Sequence, residues 1–126
     1  MPFNVTVERD AQYILFRVAG PASLMNYFDL IDSAAKDTLA HGDKLGMVDL
    51  RGVVGRLNFT DQFFIGDVVG QKLPHLDKLA TLVAADPDSY NSQKVANRKG
   101  LNLRTFTSEE QALAWLLEDA PPKEQP

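Results

Sequence analysis

The sequence contains no cysteine, one tryptophan and only two histidines. Without cysteine there is no disulfide, thiol nucleophile, iron–sulfur cluster or thiolate zinc site. His41 and His75 each lie near an expected helix end, and neither has a second ligand close by in sequence. They are read as complements to the negative end of a helix rather than as metal ligands or bases. No stretch reaches the ~18 apolar residues of a membrane span. The first residues lack the basic segment and apolar run of a secretory signal. A basic surplus is missing too: 13 Lys and Arg against 17 Asp and Glu leave a net charge of −4, which argues against general nucleic-acid binding. No dinucleotide fingerprint, phosphate loop or nucleophile elbow is present. These absences leave a soluble cytoplasmic protein with no metal and no cofactor as the expectation.

What remains is an ordinary globular composition, 44% apolar and 24% charged over 126 residues. Such a chain forms one domain that buries roughly two-thirds of its unfolded surface. Phe3 to Glu8 alternates apolar and polar residues, the period of a half-buried strand. A short polar break at Arg9, Asp10 and Ala11 joins it to a second strand over Gln12 to Val18, so the pair reads as an antiparallel hairpin stopped by Gly20 and Pro21. Ser23 is placed to cap a helix to about Ala40, with Leu24, Phe28, Ile31, Ala35 and Leu39 on one face and Gly42 just past its end. Lys44 to Leu50 reads as a buried strand, and Arg51 to Asn58 as a loop carrying Gly52 and Gly55.

Thr60 is the expected N-cap of the next helix, which runs to about Leu73, with Asp61 in its first turn and Phe59 stapled onto Phe64. Lys78 to Ala85 is a fourth strand. Asp86 caps a helix through Lys99 that closes on Gly100, and Leu101 to Phe106 is a fifth strand. Thr107 with Glu110, or Ser108 with Gln111, opens a last helix through Glu118. Residues 119–126 have no periodicity and are expected to be disordered. Strands alternating with helices predict one α/β domain over residues 1–118, a (β/α) superhelix with a five-stranded, mostly parallel sheet, one antiparallel strand and four helices.

Few residues stand out chemically. Asp49 lies near the carboxyl end of a buried strand, where open α/β sheets gather their sites. It either contacts a ligand or fixes its own loop by accepting backbone N–H bonds. Arg51 and Arg56 follow it and either bind an anion or are simply solvated. The helix after them is unusually apolar, with Phe63, Phe64, Ile65, Val68 and Val69 covering more than the ~100° arc that a helix buries on one side of a sheet. Gly66 and Gly70 share one of its faces, each costing ~1 kcal/mol relative to Ala, which close packing against the sheet would repay. Surface spilling round this helix through Phe63, Ile65 and Val69 marks either a dimer interface or the lining of a lipid-accepting cavity.

Several stretches together resemble the STAS-like domains: Met47 to Gly52, the helix opened by Thr60, Lys78 to Val83, and Phe106 to Leu116 with its acidic cap and Ala-Trp-Leu ending. This is the superfamily of sporulation anti-anti-sigma factors and the cytoplasmic domains of sulphate transporters. The resemblance spans residues 3–118 and is nearer the small stand-alone bacterial branch grouped with lipid-transfer-like folds. It implies a non-enzymatic module presenting the loop and apolar helix of residues 49–70 to a regulatory protein, an apolar small ligand or a second copy of the chain. The alternative it implies is an anti-anti-sigma switch. In those factors a phosphorylatable serine opens the helix in an Asp-Ser-x-Gly motif. Here Asn58 to Gln62 holds no serine and no following glycine, leaving Thr60 as the phosphoacceptor candidate. A small-molecule enzyme is the least supported class, because no base–nucleophile pair is readable.

Overall fold

In a computed structural model, which describes residues 1–84 and 90–118, the hairpin comprises β1 (Asn4–Arg9) and β2 (Ile14–Pro21). Then follow α1 (Leu24–His41), β3 (Leu45–Val54), α2 (Phe59–Lys72), β4 (Lys78–Leu82), α3 (Tyr90–Arg98), β5 (Leu103–Phe106) and α4 (Glu109–Leu117). The expected element order is the observed one. The five strands lie in the sheet in chain order, with β1 antiparallel to β2 and the other three pairings parallel. Right-handed crossovers that always step in the same direction place their helices on one face of a sheet. Accordingly Leu30, Ile31, Ile65, Val69 and Ala96 of α1, α2 and α3 pack with Phe16, Val48 and Leu79 of the strands in one core. Helix α4 follows the last strand and covers the other face, where Ala112 and Leu116 meet Leu15, Met47 and Ala80.

Strand alternation does the sorting. In β3, Met47 belongs to one core and its neighbour Val48 to the other, so the strand is buried on both faces over Gly46 to Asp49 and emerges into solvent beyond Leu50. Helix α1 begins and ends where the residue types require: the Ser23 side chain accepts the Asn26 N–H, and Gly42 adopts φ 69° to send its own N–H back to the Leu39 and Thr38 carbonyls.

Several local expectations are corrected, three of them in backbone and capping geometry. Residues 51–54 are strand rather than loop, because β2 does not stop short of Gly20 but includes it and ends at Pro21. It runs on beside β3, pairing Ala19 with Gly52 and Pro21 with Val54 after a register shift. Gly52 is what lets the two backbones close up, since a Cβ there would sit 2.8 Å from the Val18 carbonyl oxygen. Second, the N-cap of α2 is Asn58, whose extended backbone lets its side chain accept the Asp61 N–H at 2.8 Å. Asparagine caps at least as well as threonine, and the helix starts half a turn earlier for it. Thr60 is then inside the first turn and exposed. Third, Phe59 stacks edge-on against Phe63 at 4.8 Å, while Phe64 meets Phe28 of α1 at 5.4 Å, so no Phe59–Phe64 staple forms.

Gly70 packs against the end of α3 rather than the sheet: a Cβ would lie 2.5 Å from the Lys99 Cβ. His75, in the turn after α2, is likewise not a helix-end charge. Its Nε2 lies 2.7 Å from the hydroxyl of fully buried Thr38 in α1, and burial, aided by the Lys44 charge, pushes its pKa below the usual histidine value. His41 sits in the last turn of α1, as the helix-dipole reading requires. The fourth strand ends at Leu82 rather than at Ala85, while the Asp86 cap and the tail at 119–126 lie outside the described residues.

The revised cap makes a direct test. Asn58→Ala should cost about 1 kcal/mol of unfolding free energy, whereas Thr60→Ala should stay within about 0.5 kcal/mol of the parent. Urea titration of the two variants measures this, and the reverse ranking contradicts the assignment.

Candidate functional site

Two constellations form at the carboxyl ends of the parallel strands, one on each face of the sheet. On the α4 face the register sets Arg17 of β2 beside Asp49 of β3. Arg17 Nη1 donates to Asp49 Oδ2 at 2.9 Å, and its Nε donates to Glu8 of β1 at 2.8 Å. Arg51, two residues after Asp49 and on the same face, donates from Nε to Asp49 Oδ1 at 3.0 Å and from Nη2 to Oδ2 at 3.0 Å. Glu109, the first residue of α4, accepts from Arg17 at 3.2 Å and from Arg51 at 2.9 Å.

Of the two readings of Asp49, the structure displays the local bonding directly: its Oδ1 also accepts the Arg51 backbone N–H at 3.1 Å. Burial raises the Asp49 pKa, but hydrogen bonds from Arg51 and Arg17 outweigh it and hold the carboxyl below the usual aspartate value. Hydrogen bonds from Arg17 hold Glu109 low in the same way, against burial and the nearby Asp49 charge. Two ionised carboxylates already saturated by guanidinium donors are poorly suited to proton transfer near neutral pH. The network is a tie that holds the start of α4 over β2 and β3.

On the opposite face the strand ends border a cavity of about 240 Å³ between the sheet and helices α1 and α2. Leu30 and Ile31 of α1, Val48 and Val53 of β3, and Ile65 and Val69 of α2 supply much of its wall. Ile65 and Val69, expected to spill to the surface, are 6% and 8% exposed and face this interior. Arg56 and Gln62 also line it, as do Thr81 of β4, Gln93 of α3 and Thr105 of β5. Tyr27 adds a ring whose pKa burial pushes up, so its hydroxyl stays protonated.

The residues singled out from the sequence thus part company. Asp49 and Arg51 join the ionic tie; Arg56, Ile65 and Val69 line the cavity; Phe63 packs on Phe59; Thr60 is exposed at the start of α2. Arg17, Glu109, Thr81, Gln93 and Thr105 escaped sequence reading, because each acquires its role through strand register or a distant helix. Among the described residues no group of three or more metal-ligating side chains converges, and no helix is long and apolar enough to cross a membrane.

No family model and no curated protein matches the chain. Solved structures do. An uncharacterised protein with a SpoIIAA-like fold from Shewanella loihica is similar at 17% identity and a TM-score of 0.59, over 91% of this chain and 93% of that one. An anti-sigma factor antagonist from Mycobacterium paratuberculosis is similar at 14% identity and a TM-score of 0.63, over 90% and 93%. The chain therefore has the SpoIIAA-like, STAS-type α/β fold expected of it. At these identities the likeness is one of fold alone.

The ionic tie predicts an acid limb. Both carboxyls titrate below their unfolded values of about 3.9 and 4.3, so their stabilisation is complete above those values and is lost as pH falls through the lower folded-state ones. Asp49→Asn should lower unfolding free energy at pH 7 by about 1.5–3 kcal/mol and flatten the loss of stability below pH ~4. A variant with parental stability and an unchanged acid limb contradicts the role assigned to the network.

Proposed function

We propose that this protein is a non-enzymatic binding module that holds a small apolar molecule in the cavity between the sheet and helices α1 and α2. The carrying observation is the cavity itself: mostly hydrophobic walls, a few polar groups, and a position at the carboxyl ends of parallel strands, where α/β folds place ligands. Its 240 Å³ lies below the ~300–1,000 Å³ of sites for drug-sized molecules, which favours a single ring or short acyl chain over a full-length lipid. The saturated ionic tie on the other face supports a module that binds without turning over its ligand.

A second reading rests on a different surface. Phe59 and Phe64 are 65% and 48% exposed on α2 and flank the exposed Thr60. An apolar patch of this kind suits a regulatory protein partner, or a second copy of the chain. A regulatory partner accords with the fold shared with an anti-sigma factor antagonist. Phosphate on Thr60 would add negative charge in the first turn of α2, where the helix dipole favours it.

Native mass spectrometry of freshly purified protein tests the first reading. The parent should carry a small-molecule adduct shed on mild activation. Val53→Trp, which fills the cavity from β3, should keep its far-ultraviolet spectrum and lose the adduct. A parent with no adduct, or one that Val53→Trp retains in full, contradicts it.

A further inference from the structure

The cavity has one polar corner, and its hydrogen count does not close. Thr81 and Thr105 are register partners on β4 and β5. Both line the cavity, and their hydroxyl oxygens are 3.0 Å apart. One hydroxyl donates to the other, which uses one O–H hydrogen of two. Thr105 is only 6% exposed. Its backbone N–H donates to Gln93 Oε1 at 2.7 Å. That bond fixes the amide with its oxygen toward β5 and leaves both Nε2 hydrogens to be placed. Among the described residues, neither the second hydroxyl hydrogen nor the Gln93 amide hydrogens have a protein acceptor. Thr81 and Gln93 are half-buried, so spare hydrogens at this corner are satisfied by solvent until a ligand enters, and a ligand offering no acceptor there forfeits those hydrogen bonds.

We infer that Thr81, Thr105 and Gln93 form an anchoring subsite for an acceptor oxygen on the bound molecule. The inference rests on the cavity being a binding site and specifies what enters it. The unspent hydrogens call for an acceptor, so the complementary ligand atom is a carbonyl, carboxyl or alcohol oxygen, whereas an ammonium would carry an uncompensated charge in among apolar walls. From this corner the rest of the molecule extends along Leu30, Ile31, Val48 and Ile65, which demand an apolar body. The ligand class is a small oxygenated hydrophobe such as a ketone, ester, short-chain acid or alcohol.

The test compares xenon, 2-octanone and octylamine by chemical-shift titration of the full chain, in the parent and in Thr81→Val/Thr105→Val. Replacing both hydroxyls by methyls keeps the shape and leaves no partner stranded, a change that is close to neutral for folding. Thr81→Val alone serves should the double variant not fold. Xenon should enter both proteins equally. The parent should bind 2-octanone at least about tenfold more tightly than octylamine, and the double variant should lose about five- to tenfold of the ketone affinity. Thr81→Val alone should lose a smaller part. If xenon and ketone enter but the hydroxyl deletions leave ketone affinity unchanged, the corner is not an anchor and the inference falls while the cavity stands. If neither xenon nor any probe shifts the cavity resonances, the cavity reading falls as well.

Discussion

The first half of strand β3, Gly46 to Asp49, is dry on both sides and yet ends on an ionised carboxylate. Met47 and Val48 are swallowed by opposite cores, and Asp49, next in line, is 7% exposed. A buried carboxylate is tolerable only with its lone pairs spoken for. Arg17 and Arg51 do this, one from the neighbouring strand and one from two residues on. Their remaining donors reach Glu109, and so the solvation of one strand residue fixes where α4 begins. The opposite arrangement, with Asp49 turned to the helical face, would place a charge among Leu30, Ile65 and Val69.

The two faces are consequently specialised. One is a thin layer made by α4 and closed at the strand ends by ion pairs. The other is thicker, covered by three crossover helices, and its polar content near the strand ends comes from neutral groups such as the Thr81–Thr105 pair together with Arg56. A fully apolar wall there would favour collapse, and a fully polar one would favour solvent. The mixture, mostly apolar with a few polar groups, is the composition common to small-molecule sites.

Much of this fold was legible because local chemistry and the final packing agree. Ser23 and Gly42 bracket α1, and Ser108 caps α4 by accepting the Gln111 N–H. Legibility fails where two neighbouring residues offer the same chemistry. Asn58 and Thr60 both cap well, and only the tertiary position of α2 decides between them. It fails again where a long-range partner overrides a local stop signal, as β3 does in carrying β2 through Gly20 to its end at Pro21. The apolar excess of α2 was visible, but its division between Ile65 and Val69 inside and Phe59 and Phe64 outside depends on the helix's rotation over the sheet.

The site was less legible than the fold for a physical reason. Asp49 and Arg51 announce themselves by position, but Arg17 and Glu109 lie 92 residues apart and meet only in the folded chain. The threonine pair is equally silent, since each threonine alone is an ordinary strand residue. The central claim is that the helix-covered face encloses a ligand site while the α4 face is a structural tie. Intermolecular nuclear Overhauser effects between bound 2-octanone and methyl-labelled protein test it most directly. The account predicts contacts from the ketone chain to Ile65, Val69 and Val48 methyls, with its carbonyl end near Thr105. Contacts confined to residues surrounding Phe59 and Phe64, or to Leu116 on the α4 face, would contradict it.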